Sequence, residues 1–196
     1  MIRIAVIGDI GSGKSYIAKL FGFPVFNADK EVAKLYQKNK KCFFKLKKEL
    51  PKYIKSFPIQ KNQIINAVND KESNIKKIIN IIHPEVRVKM NMFVKKNKNK
   101  KFVVLDIPLL IENKINKKND ILVFVDSRKK EINKRLKKRP NFNFKIINKF
   151  RKFQLSIELK KKKSDFIIKN NFKNNLVKKN VKRILKKILL NDRNYT

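Results

Sequence analysis

The sequence is poor in the residues from which disulfides and metal clusters are built. Among its 196 residues there is one cysteine and one histidine, so it cannot form an internal disulfide and has no cysteine pair for a metal. It also has no apolar run of 18 or more residues, and we therefore expect no transmembrane helix. The short apolar run at the N-terminus ends at Gly8 and Asp9, which favours a first strand over a secretion signal. These absences favour a cytoplasmic protein that does not enter a membrane.

Acidic residues are scarce as well. The sequence has 15 Asp and Glu against 52 Lys and Arg, and its formal net charge is +37. Such a charge could attract phosphate backbones without sequence preference. However, nearly all of the excess is lysine, spread among asparagine and isoleucine as a bias toward AT-rich codons would produce, and RNA-binding signatures are missing. We therefore expect no specific nucleic-acid partner, and a positive potential that speeds the arrival of anionic substrates.

What the sequence does contain is an alternation of short apolar segments with helical ones. Apolar residues make up 42% of the chain, enough for one globular domain. Strands are predicted at residues 2–7, 25–26, 102–107, 121–125 and 166–168. Helices are predicted at residues 14–21, 30–50, 63–94 in pieces, 129–138, 144–163 and 176–190. This alternation predicts an α/β fold, in which helices cover both faces of a parallel sheet and a helical insertion occupies the strand-free interval from about residue 42 to 100.

The first predicted strand leads into a phosphate-loop motif. Residues 8–15, Gly-Asp-Ile-Gly-Ser-Gly-Lys-Ser, match the Walker A pattern, and the predicted strand and helix flank it as that motif requires. The glycines let backbone N–H groups turn toward phosphate oxygens, and the helix N-terminus adds positive partial charge. Lys14 would reach the β- and γ-phosphates of ATP, and Ser15 would coordinate Mg²⁺. The length and the lack of an Asn-Lys-x-Asp motif argue against a helicase and a GTPase, leaving a small kinase.

Seven later segments, in order along the chain, resemble motifs of the dephospho-CoA kinase family. They are residues 27–29 (Asn-Ala-Asp), 59–64, 82–87 around His-Pro, 106–112 (Asp-Ile-Pro-Leu-Leu-Ile-Glu), 125–139, 151–154 and 164–170. The resemblance implies that ATP phosphorylates the ribose 3′-hydroxyl of dephospho-CoA, the last step of coenzyme A biosynthesis. It also implies a three-layer P-loop fold with a central five-stranded parallel sheet. In this one domain, the core would span about residues 1–40, 101–138 and 164–190, the acceptor-binding insertion 41–100 and a helical lid 139–163.

The resemblance also implies site residues. The predicted catalytic residues are Lys14, Asp29 and Arg139, and the predicted metal ligand is Ser15. The residues predicted to bind ATP are Gly11, Ser12, Gly13, Lys14, Ser15, Tyr16, Arg135 and Arg139. Those predicted to bind the acceptor are Asp29, His83, Pro108, Leu109 and Leu110. Lys160 and Asn170 are further candidates for contact with the adenine or the acceptor.

Several of these roles have structural alternatives. Asp29 would act as the base that accepts the hydroxyl proton, but it could instead be the N-cap of the helix predicted from residue 30. Arg135 and Arg139, four residues apart on one helix face, would serve a lid with its tip at residues 140–143, or form surface pairs. His83 would begin a helix with Pro84 and could be purely structural. Arg151 would serve the lid or pair with Glu158.

Some positions depart from the family pattern. Asp9 stands where glycine is usual and puts a negative charge beside the phosphate site. Asn27 replaces an aspartate, and Lys61 an arginine. Rival functions are another small P-loop kinase acting on a nucleoside, nucleotide or shikimate-like alcohol, a nucleic-acid-binding P-loop protein, and an inactive kinase. We expect a monomer or a weak homo-oligomer.

Overall fold

The computed structural model describes residues 1–139 and 143–192, the last two without their side chains. Contacts between residues divide the chain into two compact units. An α/β unit comprises Met1–Phe26, Asn97–Phe142 and Arg151–Thr196, and a helical unit comprises Asn27–Lys96 and Asn143–Phe150.

Five strands form one all-parallel sheet in the order β2-β3-β1-β4-β5. They are β1 (Ile2–Gly8), β2 (Val25–Asn27), β3 (Phe102–Asp106), β4 (Ile121–Asp126) and β5 (Phe166–Lys169). In the central strand β1, residues 3–8 are all buried, because its apolar side chains are covered on both faces, as is typical of parallel sheets. Registers such as Val6 opposite Asp106 and Gly8 opposite Val125 bring the carboxyl ends of β1, β3 and β4 to one edge. All five predicted strands and the parallel sheet are confirmed.

Nine helices lie in the described residues. They are α1 (Lys14–Leu20), α2 (Ala28–Lys38), α3 (Lys40–Glu49), α4 (Lys61–Asp70), α5 (Glu72–Lys96), α6 (Lys129–Lys137), α7 (Phe144–Arg151), α8 (Ile157–Lys162) and α9 (Asn174–Asp192). None of them is long and apolar enough to cross a lipid bilayer.

The α/β unit is organised around the sheet. In α9 the residues Val177, Val181, Ile184 and Ile188 recur every three to four positions, and all are at most 4% exposed. This spacing gives the helix one apolar stripe, which joins the side chains of β1, β3 and β4 in a single core cluster. The predicted helix at residues 176–190 is confirmed and begins two residues earlier.

The helical unit corrects two expectations about helix boundaries. The single helix predicted over residues 30–50 is broken at Asn39, which ends α2 and caps α3 by accepting a hydrogen bond from the Cys42 backbone N–H at 2.9 Å. An Asn side chain that binds a nearby N–H competes with helix continuation. The helix start predicted at His83-Pro84 is wrong, because both residues lie inside the 25-residue helix α5.

Candidate phosphate-binding site

The loop between β1 and α1 has the conformation that its glycines allow. Gly11 and Gly13 adopt positive φ angles of 85° and 92°, which side chains disfavour. A Cβ atom on Gly13 would lie 2.5 Å from the Asn170 side-chain nitrogen, so that neighbour would have to move for any larger residue. Gly13 is also the N-cap of α1, and the helix therefore starts where the loop ends.

Lys14 is held inside this loop. Its ammonium group donates hydrogen bonds to the carbonyls of Gly8 at 3.2 Å and Asp9 at 2.8 Å, and the residue is 8% exposed. The Asp9 carbonyl also accepts from the Ser12 backbone N–H at 3.1 Å. The loop therefore curls around the lysine, and the Ser12 hydroxyl oxygen is buried in it without a hydrogen-bond partner. A buried polar atom of this kind, beside a cation and a helix N-terminus, fits an anionic ligand.

Residues that follow β4 and β5 fasten the loop from outside. The Ser12 carbonyl accepts hydrogen bonds from the Ser127 hydroxyl at 2.9 Å and from the Asn170 side-chain amide at 2.7 Å. The Asn170 side-chain oxygen in turn accepts from the Phe172 backbone N–H at 2.9 Å. Asn170, a candidate for contact with adenine or acceptor, thus binds the loop itself. Ser127 lies within the motif segment 125–139, but that motif's pattern singles out its valine, aspartate and arginines and not the serine, so the sequence did not identify it as a site residue.

The acid in the loop has a cationic partner. The Asp9 carboxylate accepts hydrogen bonds from Arg151 Nε at 3.3 Å and Arg151 Nη2 at 3.1 Å, and from the Ile10 backbone N–H at 2.6 Å. The Arg151 and Asp9 side chains are 20% and 14% exposed. The sequence predicts that Arg151 serves the lid or pairs with Glu158, and it gives no indication of this salt bridge with Asp9 of the phosphate loop.

The two arginines of the predicted lid do not share a helix face. Helix α6 ends at Lys137, so Arg139 lies beyond it, and its backbone N–H bonds to the Leu136 carbonyl at 3.0 Å. The Arg135 guanidinium lies over the Phe172 ring, with its Cζ atom 4.5 Å from the ring centroid. Both arginines are exposed. Residues 140–142 of the predicted lid tip lie outside the described residues.

Asp29 lies in the first turn of α2, directly after β2, and is exposed. The structural alternative for it is wrong, because the N-cap of α2 is Asn27, whose side chain accepts from the Lys30 backbone N–H at 2.8 Å. Asn27 therefore caps α2 at the position where the family pattern has an aspartate. An acid in a first helical turn is favoured by the helix dipole, and Asp29 remains compatible with a catalytic function.

The segment after β3 carries the residues predicted to bind the acceptor. Pro108 and Leu109 are half-buried, whereas Leu110 is fully buried. The Leu109 carbonyl accepts two bonds from Asn113, from its backbone N–H at 3.1 Å and from its side chain at 2.9 Å. The other predicted acceptor residue, His83, belongs to the helical unit and lies in α5.

A buried ion pair fixes the end of this segment. Lys160 of α8 has a side chain that is 2% exposed and lies 2.8 Å from the Glu112 carboxylate. Its ammonium group also donates to the Gln154 side-chain oxygen at 3.1 Å, and Glu112 accepts from the Leu155 backbone N–H at 3.0 Å. In this structure Lys160, a candidate for substrate contact, binds protein groups.

The donors present suit Mg²⁺ that arrives with nucleotide. Ser15 is exposed in the first turn of α1, and Asp106 ends β3 with 3% exposure. No cluster of three or more His, Cys, Asp or Glu side chains suited to a metal occurs among the described residues. Mg²⁺ bound to nucleotide needs only one or two protein oxygens besides the phosphates, so these residues fit it.

Comparison with known proteins identifies relatives of the whole chain. A family model described as dephospho-CoA kinase matches residues 2–176. A dephospho-CoA kinase from Wolbachia pipientis wMel is 33% identical over 193 residues, covering 96% of this chain and 98% of the relative. The crystal structure of TT1252 from Thermus thermophilus matches with a TM-score of 0.72 at 25% identity and covers 97% of each chain. A dephospho-CoA kinase structure from Campylobacter jejuni has a similar fold, with a TM-score of 0.62 at 22% identity and coverage of 96% and 98%.

Proposed function

Because the chain belongs to the dephospho-CoA kinase family, we propose that its phosphate loop and Asp29 carry the family's reaction. That reaction is the ATP-dependent phosphorylation of dephospho-CoA. The observation that carries the proposal is Lys14, a cation buried in a glycine loop at the N-terminus of α1 and bonded to the loop carbonyls of Gly8 and Asp9.

Lys14 and the loop N–H groups bind the β- and γ-phosphates. On nucleotide binding, the ammonium group exchanges its carbonyl partners for phosphate oxygens, which carry more negative charge. The loop does not have to reorganise for this step, because Ser127 and Asn170 already hold the Ser12 carbonyl. Preorganised donors of this kind stabilise charge in the transition state more than they stabilise the bound substrate.

Ser15 would hold Mg²⁺ together with the phosphate oxygens, and the Asp106 carboxylate would act on the ion without binding it directly. The ion would supply positive charge to neutralise the phosphates.

Asp29 orients the ribose 3′-hydroxyl and accepts its proton as the phosphoryl group is transferred in line, with no covalent enzyme intermediate. Asp29 is an exposed carboxylate at the start of α2, so a substrate hydroxyl can reach it without displacing buried side chains. Arg139 and Arg135 add positive charge for the nucleotide, and His83, Pro108 and Leu109 belong to the acceptor site. We further propose that the enzyme works in the cytoplasm as a monomer or a weak homo-oligomer.

The first test is an assay of ADP release with MgATP, in which dephospho-CoA is compared with adenosine, AMP and shikimate. We expect turnover with dephospho-CoA alone. Lys14→Ala should lower the rate on the order of 10²–10⁵-fold, whereas the matched control Lys19→Ala, exposed on the same helix, should leave it unchanged. A preference for another acceptor would refute the substrate assignment.

Asp29 has a matched control in the same helical turn. Asp29→Asn should lower turnover on the order of 10²–10⁴-fold without changing ATP binding, and Glu31→Gln should leave turnover within twofold. Near-normal turnover of Asp29→Asn in a folded protein would exclude Asp29 as the base.

A further inference from the structure

Asp9 is an acid placed in a loop that binds phosphates. A carboxylate at such a site repels bound phosphate, so an uncompensated acid there would weaken ATP binding. In this chain the acid is compensated, because the Arg151 guanidinium is bound to it through two nitrogens.

Asp9 contacts two cations, Lys14 of the loop and Arg151 of α7, with different atoms. Its main-chain carbonyl accepts a hydrogen bond from the Lys14 ammonium group at 2.8 Å. Its carboxylate accepts from Arg151 at 3.3 and 3.1 Å. The Ile10 backbone N–H, at 2.6 Å from the same carboxylate, fixes the direction in which the acid points. Asp9 therefore contacts Lys14 through its main chain, whereas its contact with Arg151 depends on its side chain.

We propose that Asp9 is a positioning residue that holds the Arg151 guanidinium at the phosphate loop, where Arg151 serves as a further cation for the phosphates of ATP. A guanidinium has five N–H groups in a planar fork, so it can bind a carboxylate and a phosphate oxygen at once. The inference rests on the proposed function only in taking ATP as the ligand of the loop. It adds two residues to the nucleotide site.

Removal of the carboxylate distinguishes this proposal from a simple repulsion between Asp9 and the phosphates, because the two predict opposite changes in ATP affinity. If Asp9 acted only through its charge, Asp9→Asn would remove a repulsion and tighten ATP binding. If Asp9 positions Arg151, the same variant releases the guanidinium and weakens ATP binding. Asn is nearly the same size and can still accept from the Ile10 N–H, so the loop conformation is retained.

The experiment measures the dissociation constant of MgATP by calorimetry, without acceptor, for the wild type, Asp9→Asn, Asp9→Glu, Arg151→Lys and the double variant Asp9→Asn/Arg151→Lys. We expect Asp9→Asn and Arg151→Lys each to weaken ATP binding roughly 3- to 10-fold, the size expected for the net loss of about one ordinary hydrogen bond. The double variant should bind ATP no more weakly than Arg151→Lys alone, because both changes break the same interaction.

Asp9→Glu, which keeps the charge, should bind ATP more tightly than Asp9→Asn does. Glu49→Gln, which removes an exposed acid from the helical unit, should bind as the wild type does.

Tighter or unchanged ATP binding in Asp9→Asn would overturn the proposal. So would losses in the two single variants that simply add in the double variant. Thermal unfolding of each variant shows whether a loss of ATP affinity is caused by a loss of folded protein. If Asp9→Asn is destabilised, the comparison is made with Asp9→Glu: tighter ATP binding by Asp9→Glu than by Asp9→Asn supports the proposal, and equal binding overturns it. Because binding is measured without acceptor, the result is independent of whether dephospho-CoA is the substrate. If the wild type bound ATP but did not phosphorylate dephospho-CoA, the proposed function would fail and this inference would stand.

Discussion

The two units of the molecule bury different kinds of side chain. Among the described residues, eight polar or charged residues are buried, and seven of them belong to the α/β unit. They include the pair of Arg3 with Asp120, in which Arg3 Nε lies 2.7 Å from the carboxylate. The helical unit buries only Asn74, whose side chain donates to the Ala67 carbonyl at 2.8 Å. Its other buried residues are apolar.

This difference follows from the interactions that stabilise each unit. A buried charge is tolerated only where its partners are fixed, because an unpaired charge in the interior is costly. The α/β unit holds its buried ions in defined contacts, such as Arg3 of β1 with Asp120 before β4, and Lys160 with Glu112 after β3. The helical unit is stabilised mainly by burying apolar side chains, and its ion pairs, such as Lys77 with Glu49 at 3.3 Å, lie on the surface. Substitution of an ion should therefore have different consequences in the two units.

The largest effect on stability is expected at Lys160. Lys160→Met should lower the free energy of unfolding by about 3–5 kcal/mol, because it leaves the Glu112 carboxylate without its cation in a nearly buried site. The double variant Lys160→Met/Glu112→Leu should recover much of this loss. Denaturant unfolding measures both values.

The matched control is a lysine in the helical unit. Lys77→Met breaks an exposed pair with Glu49 and should change the unfolding free energy by about 1 kcal/mol or less. Equal losses in Lys160→Met and Lys77→Met would show that the two units do not differ in this way.

A smaller but still large effect is expected from an apolar truncation in the helical unit. Leu46 lies in α3 and is 0% exposed. Leu46→Ala should cost about 3 kcal/mol, the sum of lost burial and a cavity. The neighbouring exposed residue Lys48 provides the control, since Lys48→Ala should change stability by less than about 0.5 kcal/mol. A loss below about 1 kcal/mol for Leu46→Ala, again from denaturant unfolding, would mean that the apolar core contributes less than its burial indicates.

The smallest effect is expected at a surface hydrogen bond of the helical unit. The Tyr53 hydroxyl donates to the Asp70 carboxylate, and this bond lowers the pKa of Asp70 below its ordinary value. A lowered folded-state pKa gives stability that is present above the unfolded pKa, about 4, and is lost as the pH falls through the lower folded value. Tyr53→Phe should therefore melt slightly below the wild type at pH 7, and the gap should close in acid. A gap that persists below pH 3 would show that the loss of stability does not depend on the charge of Asp70.

Local sequence signals identified the strands and the phosphate loop correctly, because both depend on neighbours along the chain. Alternation of short β-branched segments with helices predicts a parallel sheet, and the spacing of Gly8, Gly13 and Lys14 predicts the loop. The errors lie where a local signal has two readings. Asn39 looks like any polar residue on a helix surface, and Pro84 looks like a helix start although α5 continues through it. The four-residue spacing predicts Arg139 on the same helix face as Arg135, but α6 ends at Lys137.

The sequence by itself determined the fold class, the order of the strands along the chain and the glycine loop with its lysine. These features are set by backbone conformation and by apolar periodicity over a few residues. Only the tertiary structure decided which distant groups meet that loop, namely Arg151 at Asp9, and Ser127 and Asn170 at the Ser12 carbonyl. In a chain with 52 Lys and Arg, composition cannot select the cation that pairs with a given acid. That selection requires the parallel strands to bring segments more than 100 residues apart to the same edge of the sheet, where a hydrogen bond depends on separations of about 3 Å.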